Sequence, residues 1–561
     1  ITSKILEKIK ISPSILLVRQ DLYFLRNRDH LVETELGKIR GSTLKSQYGA
    51  EILAFRGIPF GQPPIGTLRF QAPRPAVAWR DTLNATEDSL ICPQPGEPEL
   101  MSEDCLKLNV FTRNLKGKAP VIVYVHGGAY IVGSGHSRYE AGPQYLMDHD
   151  VVFVAFNYRV GAMGFLSTGT KEAPGNFAFL DQVLALKWVR EHIATFGGDP
   201  ELVTILGFSS GAMAVSLLMT SPLSKNLFHR AICMSGSATS HFSIDNQALT
   251  RKLAHDIACP MYNPKDLVDC MRSLDWQTIV NGYANWSPYE FENTHWNYEI
   301  DGHFLLAHPT EVFRSGDFNR VPLMLGIAKN EFDYSENNTG LLNDISLNFD
   351  KYAPELFQYN ATAEKQTTPV SQRIWSEYFG AETKNINKEN LIRLGELTSD
   401  SIISHGVHRL VDLTHRQVPV YYYCMDYIGS QSNYLNATGQ PRGAGHGDAV
   451  QYVLPSLWYG KRLPLDHPDM FMVQRMTKWW TTFAKTGVPH AEYEAHWQPT
   501  TSSNPHEIFY IDRVTHMGKE PYAQRYALWD DMFPIKSAST FPSPTLVLLN
   551  PNPSGLIFNG L

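Results

Sequence analysis

Leu202-Val203-Thr204-Ile205-Leu206-Gly207-Phe208-Ser209-Ser210-Gly211-Ala212-Met213-Ala214-Val215-Ser216-Leu217-Leu218-Met219-Thr220 is the stretch from which the rest of the chain can be read. A β-rich apolar run enters a Gly-x-Ser-x-Gly turn, and a helix-forming segment leaves it. Alone, such a turn is a weak signal, because Gly and Ser are common. Between a strand and a helix it has the setting that an exposed nucleophile requires. The glycines suit a turn with no room for Cβ atoms. The turn lifts Ser209 Oγ above the sheet, and the helix N-terminus beneath it favours developing negative charge.

Similar runs lie outward from this stretch. They are Val121 to Val125, Val151 to Phe156, Ala231 to Met234, Val321 to Gly326 and Val418 to Cys424. Each is apolar without alternation, as a strand covered on both faces should be. Asn176 to Phe196 reads as a helix with Leu180, Val183 and Leu184 on one face, stopped by Gly197-Gly198. Strand and helix in alternation predict an α/β fold. Its central sheet is expected to be mostly parallel, with helices on both faces and long insertions. One large domain is expected over residues 31–533, with a C-terminal tail over 534–561. The N-terminal extension, residues 1–30, places Ile5, Leu6 and Ile9 at helical spacing beside Lys4, Lys8 and Lys10. It reads as a frayed terminal helix, or as a short basic amphipathic helix able to touch a membrane surface.

Acyl-transfer chemistry needs more than a nucleophile. His126-Gly127-Gly128-Ala129 follows a strand upstream and reads as a loop whose backbone N–H groups receive an oxyanion. Gly127 and Gly128 are the expected donors, with the N–H of Ser210 as the third; the side chain at 210 is then little constrained. The base should come late in the chain. His446, in Gly443-Ala444-Gly445-His446-Gly447-Asp448, stands out among 20 histidines because a glycine-rich loop lets it reach back to the turn. The acid should lie between them, just past a strand. Glu331 and Asp333 both fit that position.

The chain has 561 residues, 43% of them hydrophobic and 19% charged, the mix of an ordinary globular protein. A net charge of -7 and the lack of a basic stretch with interleaved aromatics argue against nucleic acid. A neutral small molecule fits better. No apolar run is long enough to span a membrane. Ile1 in place of Met is what a processed chain or a fragment would show. No metal or organic cofactor is implied. Of six cysteines, Cys92 and Cys105 lie close across a polar loop, Cys259 and Cys270 bracket another, and Cys233 and Cys424 sit in predicted strands. Two local disulfides with two buried thiols is the economical reading; six free thiols in a cytosolic protein is the other. Glycosylation sequons at Asn84, Asn285, Asn337, Asn360 and Asn436 lean toward the secretory pathway.

These segments together carry a resemblance. Phe55-Arg56-Gly57-Ile58-Pro59-Phe60, Ser102-Glu103-Asp104-Cys105-Leu106, Asn157-Tyr158-Arg159, Leu180-Asp181-Gln182, Phe196-Gly197-Gly198-Asp199-Pro200, the Ser209 turn and the His446 loop resemble the type-B carboxylesterase and cholinesterase family. The likeness is greatest to insect carboxylesterases, including esterase-6-like and juvenile-hormone-esterase-like enzymes, and runs from about Leu31 to Phe533. It implies the α/β-hydrolase fold, a secreted serine esterase acting on small-molecule esters, and Glu331 rather than Asp333 as the acid. It also implies disulfides Cys92–Cys105 and Cys259–Cys270. Three residues depart from the family's pattern. Phe208 stands where an acidic or polar residue is usual, Ser210 where Ala is, and Phe332 where Gly is. On sequence alone, a carboxylate restored at 208 is expected to raise activity. The loop between Cys92 and Cys105 lacks the Trp with which cholinesterases hold choline. A non-catalytic relative acting in adhesion or as a carrier is the rival reading, and Ser209, Glu331 and His446 all being present tells against it.

Overall fold

The computed structural model describes residues 30–535, apart from 242–244, 285, 287–295, 333–338, 358, 360–368, 433 and 436–438. Residues 1–29 of the N-terminal extension, the tail from 536, Asp333 and the sequons at Asn285, Asn337, Asn360 and Asn436 lie outside the described residues.

One large sheet organises the molecule. Its strands are β1 (His30–Thr34), β2 (Gly37–Lys45), β3 (Glu51–Pro59), β4 (Leu83–Asn84), β5 (Lys107–Thr112), β6 (Ala119–Val125) and β7 (Val152–Phe156). A small hairpin, β8 (Ser167–Thr170) and β9 (Ala173–Pro174), stands apart. The sheet resumes with β10 (Gly198–Phe208), β11 (Arg230–Met234), β12 (Leu323–Ala328) and β13 (Val420–Met425). A second hairpin, β14 (Tyr434–Leu435) and β15 (Pro441–Gly443), precedes the last sheet strands, β16 (Glu507–Ile511) and β17 (His516–Lys519). The order is β1-β2-β3-β5-β7-β6-β10-β11-β12-β13-β16-β17, with β4 beside β2. Strands β7 through β16 in that order run parallel. The β1–β2–β3–β5–β7 wing and the β16–β17 edge are antiparallel.

Side chains alternate across the parallel strands, and each face has its own core. Val121, Val123 and Val125 of β6 enter one core; Ile122 and Tyr124 enter the other. On β13, Val420, Tyr422 and Cys424 face the first core, and Tyr421, Tyr423 and Met425 the second. Helices Phe177–His192 and Ser210–Thr220 cover the first face. Helix Met470–Thr486 covers the second. A sheet covered on both sides and fed by crossover helices is the α/β-hydrolase arrangement expected from the sequence.

The helix Phe177–His192 forms as expected, and it buries more than the face of Leu180, Val183 and Leu184, of which Val183 is itself buried. Leu180 and Leu184 are only half-buried, while Phe177, Asp181, Ala185 and Trp188 are buried. Arg159, buried beside this helix, holds Asp181 with two short bonds, 2.7 Å and 2.8 Å.

Candidate active site

The site is built where β10 stops. Ser209 has φ 56° and ψ -127°, a conformation that side chains rarely adopt. Neighbours hold it there. The Ser209 N–H donates to the Met234 carbonyl of β11 at 2.9 Å, and its carbonyl accepts from Ala212 and Met213 in the first helical turn. The flanking glycines are required by contact. A Cβ on Gly207 would lie 2.2 Å from the Gly211 carbonyl oxygen, and one on Gly211 would lie 2.2 Å from that of Val125.

Glu331 comes from the loop after β12, and His446 from the loop after β15. Two backbone bonds pair these loops: Asn330 N–H to the Ala444 carbonyl, and His446 N–H to the Glu331 carbonyl, each 2.9 Å. Asp448 braces the second loop by accepting the Gly445 N–H at 2.7 Å and the Ser432 hydroxyl. The side chains then line up. His446 Nδ1 is 2.6 Å from Glu331 Oε2, and Nε2 is 2.9 Å from Ser209 Oγ. The other Glu331 oxygen accepts the Ala328 N–H at 2.7 Å, and the carboxylate is buried. With Glu331 accepting from Nδ1–H, Nε2 is left as the acceptor for the Ser209 hydroxyl.

His126 is a poor alternative base. It is fully buried, stacks on Tyr158 at 3.9 Å, and burial depresses its pKa to about 3. Its part is structural, because Nδ1 meets the Gly127 carbonyl at 2.9 Å within the loop that crosses Ser209.

That loop holds two results the sequence did not foresee. The Gly127 N–H, expected to face an oxyanion, donates to Glu140 Oε1 at 3.3 Å. The reason is that Glu140 folds beneath the turn and needs donors; Ser134 N–H at 2.8 Å and Tyr459 O–H at 2.9 Å also serve it. The amides of Gly128, Ala129 and Ser210 have no acceptor among the described residues. Second, Ser210 Oγ is buried and accepts the Tyr130 N–H at 3.3 Å, so the side chain at 210 is constrained after all.

The unusual aromatics border the base. The Phe208 ring lies 4.6 Å from the His446 ring and 5.1 Å from Tyr459, edge to face; the Phe332 ring lies 5.0 Å from His446. The Phe332 N–H donates to Ser399 Oγ at 3.0 Å, which fixes the residue after the acid. Glu140 has the most displaced acid of the region, pushed up to about 8 by burial. Nothing in its local sequence, Ser137-Arg138-Tyr139-Glu140, marks it.

Elsewhere, Cys92 is joined to Cys105 and Cys259 to Cys270, while Cys233 and Cys424 are buried free thiols. Asn84 is exposed. Among the described residues no helix is long and apolar enough to cross a membrane.

A serine in a strand–turn–helix on a covered parallel sheet, with a histidine and a buried carboxylate in line, is an arrangement suited to hydrolase chemistry on an α/β-hydrolase fold. The model of the carboxylesterase family matches residues 28–529, and the chain belongs to that family. It is 34% identical to esterase FE4 of Myzus persicae over 513 residues, which cover 86% of this chain and 89% of the relative. It is 32% identical to juvenile hormone esterase of Tribolium castaneum, covering 86% and 88%. It is 31% identical to cocaine esterase of Homo sapiens, covering 90% and 91%.

Proposed function

We propose that this carboxylic ester hydrolase works through an acyl-enzyme on Ser209. The observation that carries the reading is the continuous line Glu331–His446–Ser209, 2.6 Å and 2.9 Å, ending on a strained residue. His446 Nε2 takes the proton of Ser209 as Oγ attacks the ester carbonyl. The tetrahedral oxyanion is received by the free amides of Gly128, Ala129 and Ser210. The histidine then gives its proton to the leaving alcohol. Water activated by the same nitrogen breaks the acyl-enzyme, and the acid leaves. Glu331 holds the tautomer and offsets the imidazolium charge throughout.

The rings of Phe208 and Phe332 beside His446 restrict water around the base and its motion away from Ser209. The substrates are small-molecule carboxylic esters. The names of relatives span juvenile hormone and cocaine, so the family name does not choose among esters. A secreted chain accords with two disulfides and the exposed sequon at Asn84.

The test is titration with an organophosphate ester followed by peptide mass spectrometry. One equivalent should be bound, on Ser209, with complete loss of aryl-ester turnover. Ser209→Ala should fold and be unlabelled, with turnover lower by several orders of magnitude. Labelling on another residue, or turnover retained in Ser209→Ala, rejects the assignment.

A further inference from the structure

Outside the active site, a second group of ionisable side chains converges where helix His405–Thr414 meets the hairpin β16–β17. His408 and Asp412 lie one turn apart on the helix, with His408 Nε2 3.5 Å from Asp412 Oδ2. His506 precedes β16, and its ring stacks on that of His408 at 5.6 Å with 16° between planes. One donor atom from each of His408, Asp412 and His506 lies within 4.8 Å of the other two.

Beneath them is Glu520, whose side chain is fully buried. Its Oε1 accepts from Tyr422 O–H at 2.7 Å and from His408 Nδ1–H at 3.0 Å. Its Oε2 lies 2.9 Å from the same Nδ1 outside hydrogen-bonding geometry, and 3.6 Å from His506 Nδ1. This second oxygen makes no hydrogen bond among the described residues. The Glu520 N–H donates to the His506 carbonyl at 2.8 Å, which fixes the two residues to each other.

We propose that His408, Asp412 and His506 form a binding site for a divalent cation of the zinc type. Two imidazoles and one carboxylate are borderline donors suited to zinc. Tetrahedral ligands at zinc sit roughly 3.3 Å apart, close to the 3.5 Å already separating His408 and Asp412. Asp412 and His506 are exposed, so their side chains are free to close the remaining distance. Glu520 occupies the position of a carboxylate behind a metal-binding histidine. By holding His408 Nδ1–H it leaves Nε2 facing Asp412 as the nitrogen that would give up its proton to bind the ion. Charge favours a cation as well. Two carboxylates face two imidazoles, and Asp412 has no Lys or Arg partner among the described residues. A bound ion would clip the hairpin to the helix; the fourth position is left to water.

The test uses the full chain, stripped with a chelator and titrated with zinc sulfate against a chromophoric competitor. One equivalent should bind with micromolar or tighter affinity, and the melting temperature should rise with zinc. His506→Ala and Asp412→Asn, both at exposed positions, should each weaken that first equivalent about tenfold or more, with ester hydrolysis unchanged. Cobalt in place of zinc should give the visible bands of a four-coordinate ion, absent in both variants. Failure of the parent protein to take up zinc overturns the proposal. So does binding in either variant that matches the parent, which would place the ion on other histidines.

Discussion

Phe208 shows how one side chain is read differently once its neighbours are known. From sequence, a carboxylate at this position was expected to raise activity by meeting buried polar groups. The structure shows instead a ring that is 3% exposed, against the rings of His446 and Tyr459. The polar group nearby is already a carboxyl: Tyr459 donates to Glu140, whose pKa burial raises to about 8. A second carboxyl would enter the same dry region, where Glu140 has no Lys or Arg partner among the described residues. An unpaired buried carboxylate costs several kcal/mol, and protonation is the usual escape. Phe208→Glu is therefore expected to lower kcat by about tenfold or more and to lower the melting temperature by several degrees. Phe208→Leu, which keeps the position apolar, should lose much less of both. Steady-state kinetics and thermal denaturation of the two variants decide it, and a stable, faster Phe208→Glu enzyme would restore the sequence-based expectation.

At the scale of elements, the proposed mechanism depends on how the loop after β6 is fastened to the helix after β10. Ser210 supplies a fastening that Ala could not, because its Oγ accepts the Tyr130 N–H across the two elements at 3.3 Å. Loss of one such bond is worth about 1 kcal/mol, so Ser210→Ala should lower kcat about fivefold. KM should change little, since in the proposed mechanism the loop acts on the oxyanion and not on the bound ester. An unaltered kcat would mean that the turn is held by its other contacts alone. This fastening was hidden in the sequence, where position 210 entered as an amide donor and as a departure from the usual Ala, with no partner for its hydroxyl. The elements themselves were legible for a physical reason. Strands β6, β7, β10, β11, β12 and β13 are buried on both faces, which leaves uninterrupted apolar runs. The β1–β2–β3 wing escaped because Gly37–Lys45 is half-exposed and mostly polar, and gains its order from antiparallel pairing with its chain neighbours β1 and β3. Ser209 and His446 were legible through the glycines their tight turns require. Glu331 needed the family's pattern to separate it from Asp333, since chain spacing allows both. Glu140 could not be read, because its importance comes only from folding under a turn that precedes it.

The whole molecule registers Glu140 through pH. Four donors reach this carboxyl, from Ser134, Gly127, Tyr459 and Tyr124, yet burial outweighs them and raises its pKa from 4.5 to about 8. The native state therefore holds a proton that the unfolded chain releases near pH 4.5. Between these values the folded protein binds more protons than the unfolded one, so stability falls as pH rises. The contribution is fully present below pH 4.5 and is lost as pH climbs through about 8. His126 acts in the opposite direction. Burial lowers it from 6.5 to about 3, so the stability tied to its neutral form is present above pH 6.5 and is lost as pH falls toward 3. The two slopes oppose each other between pH 4.5 and 6.5, and from 6.5 to 8 only Glu140 of this pair contributes a slope. Glu140→Gln keeps the shape and an acceptor for the Gly127 N–H but cannot ionise. Its unfolding free energy, measured across pH 5 to 9 beside the parent, should decline less steeply on the alkaline side, the difference between the two proteins changing by a few kcal/mol toward pH 8. A constant gap between the two proteins over that range would show that Glu140 does not change its protonation on unfolding, and that the turn over Ser209 rests on a permanently ionised carboxylate.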